Sequence, residues 1–189
     1  MKIKLLGVKG SWRDVADSAR TTINKEAGEN EPSSSWKRRM LLAEHSPIRQ
    51  ISIKAKWYDL PYWVSTHFVR HWLGITHWVR TQRTDRTGTD RNELPQGAPV
   101  EHEFEANTQA IINISRKRLC TQASKETKLS WELFVASFED KEPELASCCV
   151  PECVYRGFCP EYISCGYHKT ESYNVALEEY RKNINTWGD

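Results

Sequence analysis

The sequence predicts a single α/β domain of the α+β type, in which a small antiparallel or mixed sheet packs against helices. Three observations support this prediction. A chain of 189 residues is long enough for one domain with a substantial core and short for two. Residues 51–57 alternate apolar and polar side chains with the period of two that is typical of a strand. Several other segments repeat apolar residues at helical spacing.

The first elements are a short strand and two helices. Residues 3–8 (IKLLGV) are apolar and predict a buried strand, and the helix predicted after them has an apolar face of Trp12, Val15, Ala16 and Ala19. Residues 25–35 are polar, contain Gly28 and Pro32, and predict a loop. Ser33 to Ser35 can supply the N-cap of a helix that continues to about Glu44.

The clearest strand of the sequence follows Pro47. Its apolar positions are Ile51, Ile53, Ala55 and Trp57, so one of its faces is expected to be buried. Asp59 can cap the next helix, whose apolar side carries Trp63, Val64, Phe68 and Trp72. Gly74 is predicted to end that helix.

The second half of the chain is predicted to be mostly helical. Residues 76–97 begin like a strand and then predict a loop, because Arg, Thr, Asp and Gly dominate them. Helices are predicted from about Glu105 to Cys120 and from Ser124 to Phe138. A Cys-rich loop at 148–168 precedes a final amphipathic helix that carries Tyr173, Ala176, Leu177, Tyr180, Ile184 and Trp187.

Composition limits the classes of partner. The net charge is +2, which provides no overall field for binding duplex DNA, so a small anionic ligand is favoured and nucleic acid is disfavoured. No segment approaches the length of a membrane span and the N-terminal residues contain no cleavage site, so we expect a soluble, cytoplasmic protein without a membrane partner. Cysteines in a reducing compartment are first considered as metal ligands.

The segment from His67 to Arg91 is the strongest functional signal. It is rich in Arg and His and contains few acidic residues, namely Asp85 and Asp90. Guanidinium groups are forked donors suited to phosphate oxygens, and clustering them without acids is unfavourable unless an anion is bound. A phosphate or pyrophosphate site is therefore favoured, with a solvated basic surface as the alternative.

The residues HFVRHWLGITHWVRTQR resemble the signature of the flavin-dependent thymidylate synthases, a helix-borne Arg-His-Arg followed by Ser, Asn and a closing Ser-x-Arg-Tyr. Arg70 and His71 match the first two positions, whereas the third is Trp72. The internal Ser and Asn are replaced by Ile75 and His77. Thr81 and Arg83 meet the closing element with a one-residue insertion.

Three flanking segments extend the resemblance over residues 18–126. SARTTI is similar to the family's early Ala-Arg-x-Ser segment, with Thr22 at the hydroxyl position. HSPIRQISIKAKW is similar to its Thr-Pro and alternating strand, with Ser46 at the hydroxyl. Downstream, the spacing of the family's Asn-Ala-Arg segment is met without a gap by Asn107, Asn113, Arg118, Ala123 and Glu126.

The resemblance implies a thymidylate synthase-complementing-protein-like fold and a homotetramer with active sites between subunits. It also implies FAD as cofactor and the reductive methylation of dUMP, with methylene-tetrahydrofolate supplying the carbon and NADPH reducing the flavin. By matching position, the residues implied to contact FAD are Arg70, His71, Ser46, Thr22 and Asn113, with Asn107 at the flavin edge or structural. Those implied to contact the nucleotide are Arg118, Arg83, Thr81 and His67.

Arg118 is the residue to which we assign a catalytic role. A guanidinium aimed at the pyrimidine carbonyls would stabilise the charge that develops as C5 becomes nucleophilic. Arg118 shares a helical face with Asn107, Ile111 and Ile114. Its guanidinium is therefore expected to project from a largely apolar surface, where its charge acts more strongly. The alternative is an Arg whose aliphatic stem covers the edge of the core.

The Cys-rich segment CCVPECVYRGFCPEYISCGYH lies outside the resemblance. Four thiolates on a loop suit a structural tetrahedral zinc ion, and the predicted ligands are Cys149, Cys153, Cys159 and Cys165, with Cys148 and His168 in reserve. An iron–sulfur cluster is the second possibility, because Cys ligation alone does not distinguish the two. Reduced, partly buried thiols are the third.

Two other functions stay open on sequence grounds. The first is a retasked or inactive homologue that binds FAD and a pyrimidine nucleotide without methylating it, since Trp72 replaces a signature Arg. The second is a small zinc-containing module that binds single-stranded nucleic acid through the Arg-rich segment and its aromatic residues.

Overall fold

The structure is a computed structural model that describes residues 1–182 of the chain. Its centre is a four-stranded sheet in the order β1-β2-β4-β3, and every neighbouring pair is antiparallel. The strands are β1 (Lys2–Lys9), β2 (Ser52–Pro61), β3 (Ile75–Val79) and β4 (Pro99–Asn107). The α+β class with a small antiparallel sheet is therefore confirmed.

Helices fill the intervals between the strands. Within residues 1–182 they are α1 (Trp12–Thr21), α2 (Ser34–Leu42), α3 (Tyr62–Phe68), α4 (Thr84–Thr87), α5 (Thr108–Arg118), α6 (Lys125–Phe138), α7 (Pro143–Cys148), α8 (Glu152–Arg156) and α9 (Glu171–Arg181). Two 3₁₀ turns occupy Ser46–Gln50 and Tyr167–Lys169. The predicted final helix is present as α9, and its residues Ile184 and Trp187 lie outside the described residues.

One face of the sheet forms the core. Ile53, Ala55 and Trp57 on β2 are fully buried, as their alternation predicts. The Trp57 ring stacks on Phe68 of α3 at 4.6 Å and on Phe104 of β4 at 4.4 Å between ring centroids. Helix α6 packs over the same rings through its own buried aromatic residues Trp131, Phe134 and Phe138. Aromatic stacking thus fixes α3 and α6 against the strands.

The opposite face of the sheet is charged. Lys54 and Lys56 of β2 pair with Glu103 and Glu101 of β4, and the Lys54–Glu103 distance is 2.7 Å. Cross-strand pairs of opposite charge stabilise a sheet and also keep this face hydrated. None of the helices within residues 1–182 is long and apolar enough to cross a membrane.

Three predicted boundaries are corrected by the structure. The helix expected from about Glu105 begins at Thr108, because the residues before it form β4, whose inward side chains alternate like those of β2. Helix α3 ends at Phe68 instead of Gly74, so Trp72 lies on a turn. The Cys-rich loop is also shorter than predicted, because α7 and α8 take up part of it.

Candidate functional site

A cavity of about 170 Å³ lies between the turn that follows α3 and one side of α5. The turn contributes Arg70, His71, Trp72 and Leu73, and α5 contributes Ala110, Asn113 and Ile114. Two segments that are about forty residues apart in the chain therefore form one concave surface.

Local interactions explain why both walls form here. The chain turns after α3 as the His71 N–H donates to the Phe68 carbonyl at 2.9 Å. Gly74 adopts φ +72°, and an added Cβ would lie 2.6 Å from Nδ2 of Asn107. Asn107 caps α5, because its side chain accepts from the Ala110 N–H at 2.9 Å. Asn107 thus fixes the start of α5 and contacts the turn at Gly74.

Arg118 links the two walls. From the last turn of α5 its Nε donates to Nε2 of His71 at 2.9 Å, and a terminal nitrogen donates to the His67 carbonyl at 2.7 Å. The side chain is partly buried, and burial together with the nearby charge of Arg70 lowers the pKa of Arg118. The guanidinium is thus held against the C-terminal end of α3.

The site is positively charged without acidic compensation. Among the residues that the structure describes, no carboxylate forms a hydrogen bond or ion pair with Arg70, His71 or Arg118. Burial and the charge of Arg118 lower the pKa of His71 to about 4. The pKa of His67 is lowered by burial and by both arginines. The local field therefore disfavours further protonation and favours an anion.

Two more histidines lie behind the site. His77 on β3 contacts the His71 carbonyl through Nε2 at 2.8 Å and Nε2 of His102 through Nδ1 at 2.9 Å. His102 on β4 is fully buried, and its Nδ1 has no hydrogen-bond partner among the described residues. Burial first, and the charge of His77 second, lower the pKa of His102 to about 3.

The structure brings together several of the residues that the resemblance implies. Arg70, His71 and Asn113 line the cavity, and Arg118 and His67 lie directly beside it through their contacts with the same turn. The Asn113 side chain accepts a hydrogen bond from Arg116 at 3.2 Å. Their roles toward FAD and a nucleotide stay predictions.

Thr81 and Arg83 are not brought to this cavity. They follow the far end of β3, whose five residues span about 13 Å between the first and last Cα atoms. Arg83 donates to both carboxylate oxygens of Asp85, at 3.0 and 2.8 Å. Thr81 lines a different cavity of about 190 Å³ together with Arg80, Thr87, Leu94 and Val100. Within one chain these two residues therefore form a separate surface.

Thr22 and Ser46 also lie outside the lining of the cavity. Thr22 follows α1 and its hydroxyl donates to the Ala19 carbonyl at 2.7 Å, while Ser46 opens a 3₁₀ turn on an exposed stretch. A cavity of about 320 Å³ between α1 and α2, lined among others by Arg20, Ile23, Trp36 and Arg39, was not predicted from the sequence. Its residues come from two helices and the segment between them, with no common motif.

The predicted zinc site is not formed. In residues 1–182 no group of three or more His, Cys, Asp or Glu side chains is placed to hold a metal ion. Cys149 belongs to the main core, where burial raises the pKa of its thiol to about 12, whereas Cys153 and Cys159 belong to a second cluster under α9 and Cys165 is exposed. Cys149 therefore lies in a different cluster from Cys153 and Cys159.

Cys120 lies near this second cluster instead. Its pKa is raised first by burial and also by the neighbouring thiols of Cys165 and Cys159, and the pKa of Cys153 is raised by burial and by Cys120. Spacing along the chain does not indicate this proximity, because Cys120 lies 33 residues before Cys153.

Comparisons with known proteins support the fold alone. No protein-family profile matches the sequence, and no curated protein matches it. Two solved structures of the flavin-dependent thymidylate synthase ThyX from Helicobacter pylori, each with FAD and dUMP, are similar to the structure with a TM-score of 0.65 and 10% sequence identity. The match covers 79% of this chain and 100% and 99% of theirs. This chain therefore has a ThyX-like fold.

Proposed function

We propose that this protein is a flavin-dependent thymidylate synthase-like enzyme that binds FAD and reductively methylates dUMP. The observation that carries the proposal is the approach of Arg70 and Arg118, from two separate segments, to one cavity without a carboxylate partner among the described residues. Clustered guanidinium groups without acids are unfavourable until an anion binds. The similarity of the fold to structures that hold FAD and dUMP makes these ligands the first candidates.

The residues present fit such ligands. Arg70 lines the cavity and forms no hydrogen bond or ion pair with another described residue, so its guanidinium is available for phosphate oxygens. Arg118 stands at the end of an apolar helix face, where a fixed charge stabilises developing negative charge on a pyrimidine carbonyl most effectively. Trp72 is 74% exposed beside the cavity and offers a flat face to a planar ring.

The volume of the cavity supports the proposal that the site is shared between subunits. At about 170 Å³ it is smaller than a complete cofactor site, which usually measures roughly 300–1,000 Å³. A second chain would supply the remaining wall, and Thr81 and Arg83, which do not reach the cavity in their own chain, could then complete it in another. The proposed assembly is a homotetramer.

Bound FAD would supply the hydride chemistry of the proposed reaction, with NADPH as the reductant and methylene-tetrahydrofolate as the source of carbon. The chain itself orients the ligands. Asn113 and His71 would hold the flavin side of the cavity, and His67 and Arg118 the nucleotide side. Arg118 remains charged throughout, because guanidinium groups are not deprotonated in proteins.

The first experiment is spectroscopic. We expect purified protein to show flavin absorbance at about 450 nm, and to release tritium from C5-labelled dUMP when methylene-tetrahydrofolate and NADPH are present. Colourless protein that shifts single-stranded DNA in a salt-dependent manner would contradict the proposal and support a nucleic-acid-binding module.

Two substitutions test the assignment of residues. Arg118→Ala should weaken dUMP binding by about 10- to 100-fold while flavin stays bound, because it removes a charged hydrogen-bond donor. Arg70→Ala should release flavin. Lys117→Ala is the matched control, since it removes a positive charge from the same helix but pairs with Glu152. Equal loss of both ligands in the two Arg variants would refute these assignments.

A second candidate function retains the ligands without the methylation. Thr81 and Arg83 lie apart from Arg118 within the chain, and Trp72 occupies the position of a signature Arg. A protein that binds flavin and dUMP but releases no tritium would establish this candidate.

A further inference from the structure

Three histidines and Arg118 form a hydrogen-bonded chain that runs from the edge of the cavity into the core. Arg118 donates to His71 at 2.9 Å, the His71 carbonyl contacts Nε2 of His77 at 2.8 Å, and Nδ1 of His77 contacts Nε2 of His102 at 2.9 Å. This series of hydrogen bonds connects α5, the turn after α3, β3 and β4. Of these histidines only His71 belongs to the residues considered above as ligand contacts.

The direction of the first hydrogen bond fixes the tautomer of His71. A guanidinium can only donate, so Nε2 of His71 must accept with its lone pair. The ring is then neutral and carries its hydrogen on Nδ1. Burial and the charge of Arg118 lower the pKa of His71 to about 4, which agrees with a neutral ring.

The same reasoning fixes the two inner rings. The His71 carbonyl can only accept, so Nε2 of His77 carries the hydrogen. Burial lowers the pKa of His77, so its Nδ1 is unprotonated and accepts from Nε2–H of His102. The remaining nitrogen of His102, Nδ1, is then a buried acceptor without a partner among the described residues.

We propose that His77 and His102 are positioning residues for the cavity: they hold the peptide of His71 in the orientation from which its ring, as the Nδ1–H tautomer, fixes the Arg118 guanidinium. Neither inner histidine lines the cavity. The proposal rests on the proposed function only for the identity of the ligand, because the tautomers follow from the hydrogen bonds and from the burial of the rings.

One consequence concerns the ligand group beside His71. Its Nδ1–H has no partner among the described residues, and His71 lines the cavity, so this donor is available to a ligand. The facing ligand atom is therefore an acceptor, such as a carbonyl or phosphate oxygen. The charged and titratable groups around His71 are Arg70, Arg118, His67 and His77, and none of them is acidic.

The direct test is the measurement of histidine tautomers by long-range ¹H–¹⁵N correlation spectra of the ¹⁵N-labelled protein near neutral pH. We expect the Nδ1–H form for His71 and the Nε2–H form for His77 and His102. Single His→Gln variants assign the signals. Any other tautomer at His71 or His77, or a doubly protonated ring at either position, would overturn the proposal.

A pair of variants tests the consequence for Arg118. His77→Leu removes the donor to the His71 carbonyl, and we expect hydrogen exchange at the Arg118 Nε–H to become about tenfold faster, as for the loss of one hydrogen bond. His77→Gln can place an amide N–H near the same carbonyl and should restore slow exchange. A merely structural role would predict no rescue, and unchanged exchange in His77→Leu would refute the coupling.

Binding of dUMP separates this inference from the proposed function. If wild-type protein binds dUMP, His77→Leu should weaken that binding by about tenfold and His77→Gln should restore it. If wild-type protein shows the expected tautomers but no affinity for dUMP, the histidine chain stands and the proposed function fails. If dUMP binds normally to His77→Leu, the positioning role fails while the proposed function stands.

Discussion

The buried His102 should make the stability of the protein depend on pH in the weakly acidic range. In the native state the ring is fully buried beside Trp57, Phe68 and Phe104, and its pKa is lowered from 6.5 to about 3 by burial first and by His77 second. In the unfolded chain the ring is hydrated and binds a proton at its ordinary pKa. Lowering the pH therefore protonates His102 in the unfolded state before it does so in the native state.

The direction in which the free energy of unfolding changes with pH follows from the number of protons that each state binds. Well above pH 6.5 the ring is neutral in both states, so it contributes no pH dependence there. As the pH falls through 6.5 the unfolded state takes up a proton that the native state does not, and the free energy of unfolding decreases until the pH reaches about 3. Between about pH 7.5 and 5.5 one such histidine lowers the free energy of unfolding by about 1.4 kcal/mol.

Urea unfolding at the two pH values measures this change. His102→Leu removes the titrating ring, so we expect its loss of stability between pH 7.5 and 5.5 to be about 1.4 kcal/mol smaller than that of the wild-type protein. Phe104→Leu is the matched control, because it disturbs the same strand and core without removing a titratable group and should lower stability equally at both pH values. An unchanged pH dependence in His102→Leu would refute the buried neutral ring.

Three further changes test other parts of the fold. Trp131→Phe should lower the free energy of unfolding in urea by about 1–2 kcal/mol, because the buried indole N–H donates to the Ser115 hydroxyl at 2.8 Å; an equal midpoint would contradict this bond. Asp59→Gly should raise the thermal midpoint, gaining about 1 kcal/mol, because Asp59 adopts φ 54°; a lower midpoint would show that the carboxylate has an unrecognised partner. Gly74→Ala should cost about 2 kcal/mol in urea unfolding, because φ is +72° and its Cβ would meet Asn107; wild-type stability would mean that the turn can relax.

The sequence predicted the elements whose side chains alternate or repeat strongly. Strand β2 was clear because Ile53, Ala55 and Trp57 all face the core. Strand β4 was missed because its outward positions are Glu101, Glu103 and Glu105, and glutamate is rare in strands. Glu101 and Glu103 pair with lysines of β2, and Glu105 pairs with Lys9 of β1, a compensation that only the arrangement of the strands reveals.

The site was predictable where the chain keeps its residues on one turn or one helix. Arg70 and His71 are adjacent in sequence, and Asn113 and Arg118 share α5. Only the contact between the turn after α3 and α5 was needed to bring the two pairs together. His102 could not be anticipated, because an isolated histidine at an inward strand position has no distinguishing spacing. The four predicted zinc ligands are not grouped among the described residues, and spacing alone did not show that Cys149 faces the main core.

The order of strands in the sheet also bears on how the chain acquires its structure. Strand β2 pairs with β1 and with β4, and each partner lies about fifty residues away along the chain. Closing loops of this length early is entropically costly, and folding slows as contacting residues become more distant in sequence. During synthesis β2 cannot complete its pairing with β4 until Asn107 has left the ribosome. We therefore expect folding in milliseconds to seconds rather than microseconds, with α5 and α6 docking only after the sheet has closed.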